Sequence, residues 1–286
     1  MKTSLLGLGG SIRYESFADI FYTSNRKILR EFIDKAVKKA EIDEEIAKGA
    51  FGFVAPHAGY IYSGEVAAYT YKALEARSKS KKIDTFVMIG PNHTGFGAPL
   101  AISMQDWHTP FGVVENDTEL ALAISKKTPY VTLDEVAHSG EHSIEVQLPF
   151  LQRTISKPRC VFICMGNQKL EFSKLLSEAI AKSAKELRRE IIIIASSDFN
   201  HYESEEVAKS KDLPAIDALE KLDYVKFNKK LEEKEDTACG YGPITVAAMF
   251  SKEKGAKKGY LLKYGNSGEA NKDYSSVVAY ASIIFA

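Results

Sequence analysis

Four consecutive isoleucines, Ile191 to Ile194, run without a break into Ala195, Ser196, Ser197, Asp198, Phe199, Asn200 and His201. An apolar run without polar alternation has no face to offer to water. It therefore reads as a strand of a parallel sheet covered by helices on both sides. In such sheets ligands gather outside the carboxyl ends of the strands, so this run would deliver a carboxylate and an imidazole to a site. The pattern recurs twice. FGFVAPHAGYIYSG, from Phe51, passes at once into Pro56, His57, Gly59 and Gly64, and TFVMIGPNHTGFG, from Thr85, passes into Gly90, Pro91, Asn92, His93, Gly95 and Gly97. Three of the six histidines thus follow an apolar run. A single one is more commonly a turn or surface residue; three in equivalent positions put a shared site on equal terms with that reading.

Around these runs the pattern alternates. An amphipathic helix is expected over 24–49, with Ser24 as its cap, Gly49 as its stop and Ile28, Phe32, Ile33, Val37 and Ala40 as its stripe. A strand over 51–55, a helix over about 63–76 and a strand over 83–89 follow, then short strands on either side of QDWHTP. Asn116, Asp117 and Thr118 lead into a helix start. SGEHSIEVQLPFLQRT reads as a helix bent near Pro149. A strand over 160–165, a helix over 169–189 with Phe172, Leu175, Leu176, Ala179 and Ile180 inward, and the strand over 191–196 come next. The remainder is helical over 205–222 (interrupted at Pro214), 224–231 and 243–253, with late strands near 259–264 and 276–285. Alternation without a linker or repeat predicts a single α/β domain, with a mixed, largely parallel central sheet and helices on both faces. Residues 1–12, MKTSLLGLGGSI, are expected to form a flexible extension, because their apolar stretch is too short for a signal peptide; the domain spans 13–286.

Composition narrows the class. With 45% hydrophobic and 27% charged residues the chain has ample core for its 286 residues. A formal net charge of zero provides no field to recruit nucleic acid or an anionic membrane, and no apolar run is long enough to span a bilayer. Three cysteines fit a reducing, cytoplasmic compartment. Cys160 and Cys164, four apart along RCVFICMG, would lie about 13 Å apart on a strand, beyond disulfide reach, and read as core residues.

Cys239 is different. It stands just ahead of a helix start marked by Pro243, where free N–H groups favour a thiolate; the competing reading is an inert buried thiol. Glu141 and His142 are placed at a helix start, with Glu145 on the same side as His142; simple capping explains them equally well. His108 and His138 are expected to be exposed. Tyr60, Tyr62 and Tyr241 flank the motifs and either hydrogen-bond a ligand or pack beside it. GLGG and GNSG do not open a dinucleotide-binding unit, and no Walker, HExxH or paired CxxC pattern is present. Imidazole, carboxylate and thiolate are first-row metal ligands, so the economical reading is a metal site at the strand ends. His57 and His93 would be two of its ligands.

APHAGYIYSG, IGPNHTG, GEHSIEVQLPFL, SSDFNHY and CGYGPI, in that order, resemble the Memo family. RYESFADIFY resembles that family's R-x-x-x-x-A-G-x-F-Y opening, with Asp19 where glycine is expected, and WHTPFG resembles its W-x-T-P-x-G. The resemblance covers nearly the whole chain from Arg13. It implies a fold similar to class III, LigB-type non-haem iron extradiol dioxygenases. It also implies a pocket built from His57, His93, Asp198, His201 and Cys239. The expected ligands are His57, His93 and Cys239 on iron or copper, with zinc as an alternative, and Asp198 and His201, with His142 and Glu141, are the candidate catalytic groups. Cys239 stands near where the dioxygenases carry a carboxylate, which weighs against ring cleavage. The resemblance further implies copper- or iron-dependent redox chemistry, an unknown small molecule or peptide as ligand, and a radical-SAM protein as a partner. A peptide- or protein-binding module with a vestigial site, and a zinc-assisted hydrolase, are the alternatives.

Overall fold

A computed structural model describes residues 11–286. Most of the extension expected over residues 1–12 lies outside them, although Ile12 already belongs to the first strand. In chain order the elements are β1 (Ile12–Arg13), α1 (Arg26–Lys39), α2 (Glu44–Lys48), β2 (Gly52–Ala55), α3 (Tyr60–Ser80), β3 (Thr85–Pro91), β4 (Leu100–Ser103), β5 (Asp106–Thr109) and β6 (Gly112–Asn116). Then come α4 (Thr118–Ser125), β7 (Val131–Leu133), α5 (Val136–Ser139), a 3-10 turn (Glu145–Gln147), α6 (Leu148–Thr154), β8 (Arg159–Met165), α7 (Leu170–Glu186) and β9 (Ile191–Ser196). The chain ends with β10 (His201–Glu203), α8 (Glu205–Glu220), α9 (Tyr224–Lys234), α10 (Tyr241–Glu253), β11 (Gly259–Asn266), α11 (Gly268–Asn271) and β12 (Val277–Phe285).

The isoleucine run is the middle of the sheet. β9 lies between β3 and β2, parallel to both, and β8 extends the parallel core beyond β3. Successive side chains point to opposite faces of a strand. Ile191, Ile193 and Ala195 accordingly enter one core while Ile192 and Ile194 enter the other. β3 splits the same way, Val87 and Ile89 against Phe86 and Met88. Leu176, Ile180, Ile244 and Ala247 of α7 and α10 cover the first face; Leu29, Ile33, Tyr71 and Leu74 of α1 and α3 cover the second. Each such isoleucine contributes roughly 2 kcal/mol of burial, which explains why an unbroken run is tolerated only here. The sheet is mixed because β12 pairs antiparallel with β2, β10 and β11, and β4 antiparallel with β8.

Several local expectations are corrected. The helix expected over 24–49 is two, α1 and α2; its cap is Asn25, whose side chain accepts from Lys27 and Ile28 N–H, rather than Ser24. Ile28 is 56% exposed, and the inward stripe is Leu29, Ile33 and Ala36. α8 runs through Pro214 uninterrupted, held by its buried Asp212, Ala215, Ile216 and Leu219. SGEHSIEVQLPFLQRT is not one bent helix: Glu141 and His142 lie in a loop, a 3-10 turn follows, and α6 carries Pro149 in its first turn. His138, expected at the surface, is fully buried on α5, its Nε2 against the Ala101 carbonyl at 3.2 Å.

Candidate metal centre

Strand register puts the candidate residues at one height. Ala55 pairs with Ser196, and Ile89 with Ala195, so His57, Asp198 and His93 leave the same edge of three adjacent parallel strands. Cys239 arrives from the other direction, immediately before Gly240, the N-cap of α10. A Cβ at Gly240 would collide with the Ser196 carbonyl; glycine is what lets the helix start sit against the end of β9. The structure thus brings together a donor atom each from His57, His93 and Cys239, all within 4.8 Å of one another. Cys239 Sγ is 3.2 Å from His57 Nε2.

Hydrogen bonding fixes how the two imidazoles face this point. The Ser196 hydroxyl donates to the Ser143 carbonyl at 2.6 Å, which uses its only hydrogen. His57 Nδ1, 2.8 Å from the same oxygen, must therefore donate, and its lone pair is on Nε2. Gln147 Nε2 also donates to Ser196 Oγ, and Tyr71 O–H in turn donates to Gln147 Oε1. His93 Nδ1 lies 2.9 Å from Glu141 Oε1, an acceptor-only carboxylate, so it too donates and presents Nε2. Such partners fix tautomer and ring orientation in metal-binding histidines. Glu141 also accepts the backbone N–H of His93 at 2.6 Å and of Ser143 at 2.8 Å. Burial alone would raise Glu141, but the His93 and backbone hydrogen bonds hold it down at about 2.

The remaining groups define the pocket. Burial, then the neighbouring His93, drive His57 well below its ordinary range, and burial and His57 hold His142 at about 3; both are neutral imidazoles near pH 7. Cys239 corrects the sequence reading. It sits at the expected helix start, yet burial and the Asp198 carboxylate push its thiol up, so without a cation it is a thiol. Asp198 accepts the His57 backbone N–H at 2.8 Å, and burial raises its carboxyl. His201, half-buried at the mouth, donates its backbone N–H to Thr237 Oγ1 at 2.8 Å and Nδ1–H to the Thr237 carbonyl at 3.1 Å. All five residues named by the resemblance, with His142, line one cavity of about 490 Å³ together with Phe21, Thr237 and Tyr202. A larger one, about 820 Å³, lies between α9 and the start of α10 and shares Thr237 and Cys239 as wall.

Other expectations fare differently. His93, Glu141 and His142 form a second close group, but the His93 and His142 rings stack at 4.6 Å and 25°. Their in-plane lone pairs run side by side instead of converging, which suits hydrogen-bonded support better than a second ion. Glu145 does not share the direction of His142. It binds Arg13 at 2.7 Å and accepts from Phe17 N–H and Tyr22 O–H at 2.9 Å each. Arg13 also reaches the carbonyls of His138 and Glu141 and lies 4.1 Å over the Trp107 ring. This buried lock seats the N-terminal segment so that Phe21 stacks on His142 at 4.4 Å. Asp19 has φ 65, the left-handed region that explains why the resembled motif carries glycine there. Tyr60 is a buried packing residue bonded to the Val146 carbonyl, Tyr241 lines the larger cavity, and His108 pairs with Glu15 away from the pocket.

An α/β protein with a two-histidine, one-cysteine pocket at the carboxyl edge of its parallel strands is, as a class, a protein with a candidate transition-metal site. The chain belongs to the Memo-like protein family, whose description matches residues 13–284. It is 43% identical over 274 residues to a MEMO1 family protein of Methanococcoides burtonii, covering 96% of this chain and 99% of that one. It is 43% identical over 280 residues to one of Pyrobaculum aerophilum, covering 96% and 99%, and 45% identical over 237 residues to one of Methanopyrus kandleri, covering 82% of each. Among solved structures, an uncharacterized protein from Escherichia coli K12 overlaps with a TM-score of 0.48 at 14% identity, covering 75% of this chain and 92% of that one; a likeness of that size carries no inference. No helix among the described residues is long and apolar enough to cross a membrane.

Proposed function

We propose that the protein holds a first-row transition metal through His57 Nε2, His93 Nε2 and Cys239 Sγ, and that with iron or copper the pocket performs redox chemistry on a small molecule. One observation carries this reading. Both imidazoles have their Nδ1–H tied to an acceptor, so two lone pairs and one thiol sulfur converge at ligand separations. A bound copper or iron ion would supply one-electron chemistry that no side chain here offers. The protein's own contribution is positional and protonic. Ser196 and Glu141 orient the imidazoles, and Cys239 gives up its proton when a cation binds. Asp198, raised by burial, can hold a proton beside the ligand space, and His201 presents a second acid–base group at the mouth. A soft thiolate where LigB-type enzymes use a carboxylate favours softer ions.

Metal analysis of protein purified anaerobically from its native host, with oxidation state read by electron paramagnetic resonance, tests this. Stoichiometric copper or iron, lost together in His57→Ala and Cys239→Ser, is the expected result. Tight zinc would move the reading to a metal-assisted hydrolase, and no metal at all would leave a peptide- or protein-binding module.

A further inference from the structure

The segments that carry His201 and Cys239 are joined by two carboxyls, one buried and one half-buried at the wall of the larger cavity, for which the chemistry above has no use. Asp212 of α8 is fully buried. Its Oδ1 accepts the backbone N–H of Asn200 at 3.1 Å, and its Oδ2 accepts the Tyr264 hydroxyl at 2.6 Å. Asp236 accepts the backbone N–H of Ala238 at 3.0 Å through Oδ1. Its Oδ2 is buried and meets no donor among the described residues. The two side chains lie within hydrogen-bonding reach of each other. Two carboxylates this close, one fully buried and the other with a buried oxygen, resist ionising together; one proton between them would satisfy the orphaned oxygen and join the pair. The segments are already stitched at Thr237, which receives both the backbone N–H and the Nδ1–H of His201.

We propose that Asp212 and Asp236 are positioning residues that share one proton and thereby clamp the 200–203 segment to the 236–239 segment, setting where His201 stands relative to Cys239. The clamp is a property of the fold and does not depend on which metal, if any, the pocket takes; its relevance to chemistry rests on the reading above. The charged and titratable groups around it are Tyr264 from β11, Glu203 from β10, and Lys211 and Glu205 from α8. Lys211 is committed to Glu203 at 2.9 Å and to the Glu235 carbonyl at 3.1 Å. Burial and the Asp236 charge push Asp212 up to about 9, and burial raises Asp236 as well. The folded pair thus keeps a proton that the opened segments release above the ordinary carboxylate value of 3.8. The clamp is tightest at low pH and weakens as pH rises towards 9.

Hydrogen exchange of the Asn200 and Ala238 amides in the metal-free protein, between pH 6 and 8, reads this proton directly. Opening that releases one proton adds about a tenfold gain per pH unit to the intrinsic exchange rate. We expect that extra slope in the wild type. Asp236→Asn should lack it, because an amide oxygen can accept from Ala238 while its NH2 donates permanently to Asp212. Asp236→Ala should exchange about tenfold faster or more throughout this range; if it does not fold, the wild type and Asp236→Asn decide alone. A wild-type slope no steeper than that of Asp236→Asn overturns the clamp. Because no metal is present, that failure would leave the metal reading standing, and a protein that binds no metal would leave the clamp intact.

Discussion

The loops that carry His57 and His93 leave the two strands flanking β9 at the same height and present the same nitrogen, yet they are supported in opposite ways. His57 is 2% exposed and backed by a neutral hydroxyl, Ser196, from the adjacent strand. The His93 side chain is 34% exposed and backed by the fully buried carboxylate of Glu141, which arrives from a loop 48 residues away. Asn92 folds the His93 loop by accepting from Thr94 and Gly95 N–H, and Gly95 and Gly97 take φ 72 and 86. Equivalent positions in the fold therefore do not give equivalent ligands. If the two hold a metal, the carboxylate that orients His93 should matter more to affinity than the hydroxyl that orients His57.

The largest effect should follow from removing that charge. Glu141→Gln keeps the shape but replaces the acceptor of His93 Nδ1–H, and metal affinity should fall by about 10–100-fold, measured by chelator competition with Zn(II) or Co(II). Ser196→Ala should behave differently. It leaves His57 Nδ1–H, the Ser143 carbonyl and one Gln147 donor without their buried partner, so it should cost roughly 1–3 kcal/mol of stability in chemical denaturation while changing affinity less than Glu141→Gln does. Equal affinity losses in the two variants would erase the distinction between the loops.

How much of this was legible follows the range of the forces involved. His57, His93 and Asp198 were readable because an unbroken apolar run must end at a sheet edge, a local rule. Cys239 was readable from the helix start after it, but its ionisation was not, because the burial that opposes the thiolate is tertiary and the Asp198 carboxylate that adds to it comes from 41 residues away. Glu141 was noticed as a candidate catalytic group with capping as the alternative; capping is a local explanation and does not apply in the loop where Glu141 lies, whereas its partner His93 is set by tertiary packing. Ser196 lay in the stretch that first drew notice, yet only the positions of Ser143 and Gln147 show its hydroxyl to be committed. Nothing local marked Thr237 or Phe21 as pocket residues, or Gln147 as the buried partner of Ser196. The burial of His138 and the Arg13–Glu145 lock were invisible for the same reason, since their partners are more than 30 and more than 130 residues distant in sequence. Pro214 misled because propensity was weighed without the buried face that keeps α8 continuous.

A pH scan sharpens the comparison on the His93 side. His142 stacks on His93, and burial and His57 depress it from 6.5 to about 3. Between those values the unfolded chain binds the proton and the folded protein does not, so His142 makes stability fall as pH drops from neutral. That contribution is about 2 kcal/mol between pH 7 and 5. His142→Phe, which preserves the stack with Phe21, should flatten the melting temperature over this interval relative to wild type. An unchanged slope would mean that His142 is not held neutral, and that the ring next to His93 is more solvated than its packing shows.

The smallest effect expected is none. The resemblance implies a histidine pair like that of LigB-type extradiol enzymes, and if His57 and His93 alone set the chemistry, Fe(II)-loaded protein should open catechols. The third donor differs. A thiolate in place of the carboxylate would make the ligand set softer and less suited to Fe(II), and burial and the Asp198 carboxylate favour the protonated form of Cys239. Anaerobic loading with Fe(II), followed by oxygen and a panel of simple catechols, should therefore give no yellow ring-opened product above background. Turnover at about 1 per second or faster, abolished in His57→Ala, would show that the histidine pair outweighs the thiolate and would restore ring cleavage. Cys239→Glu makes the complementary measurement. If a thiolate is all that separates this pocket from the dioxygenases, that variant should gain activity under the same assay, and if it stays silent the difference lies in how Glu141 and Ser196 support the two imidazoles.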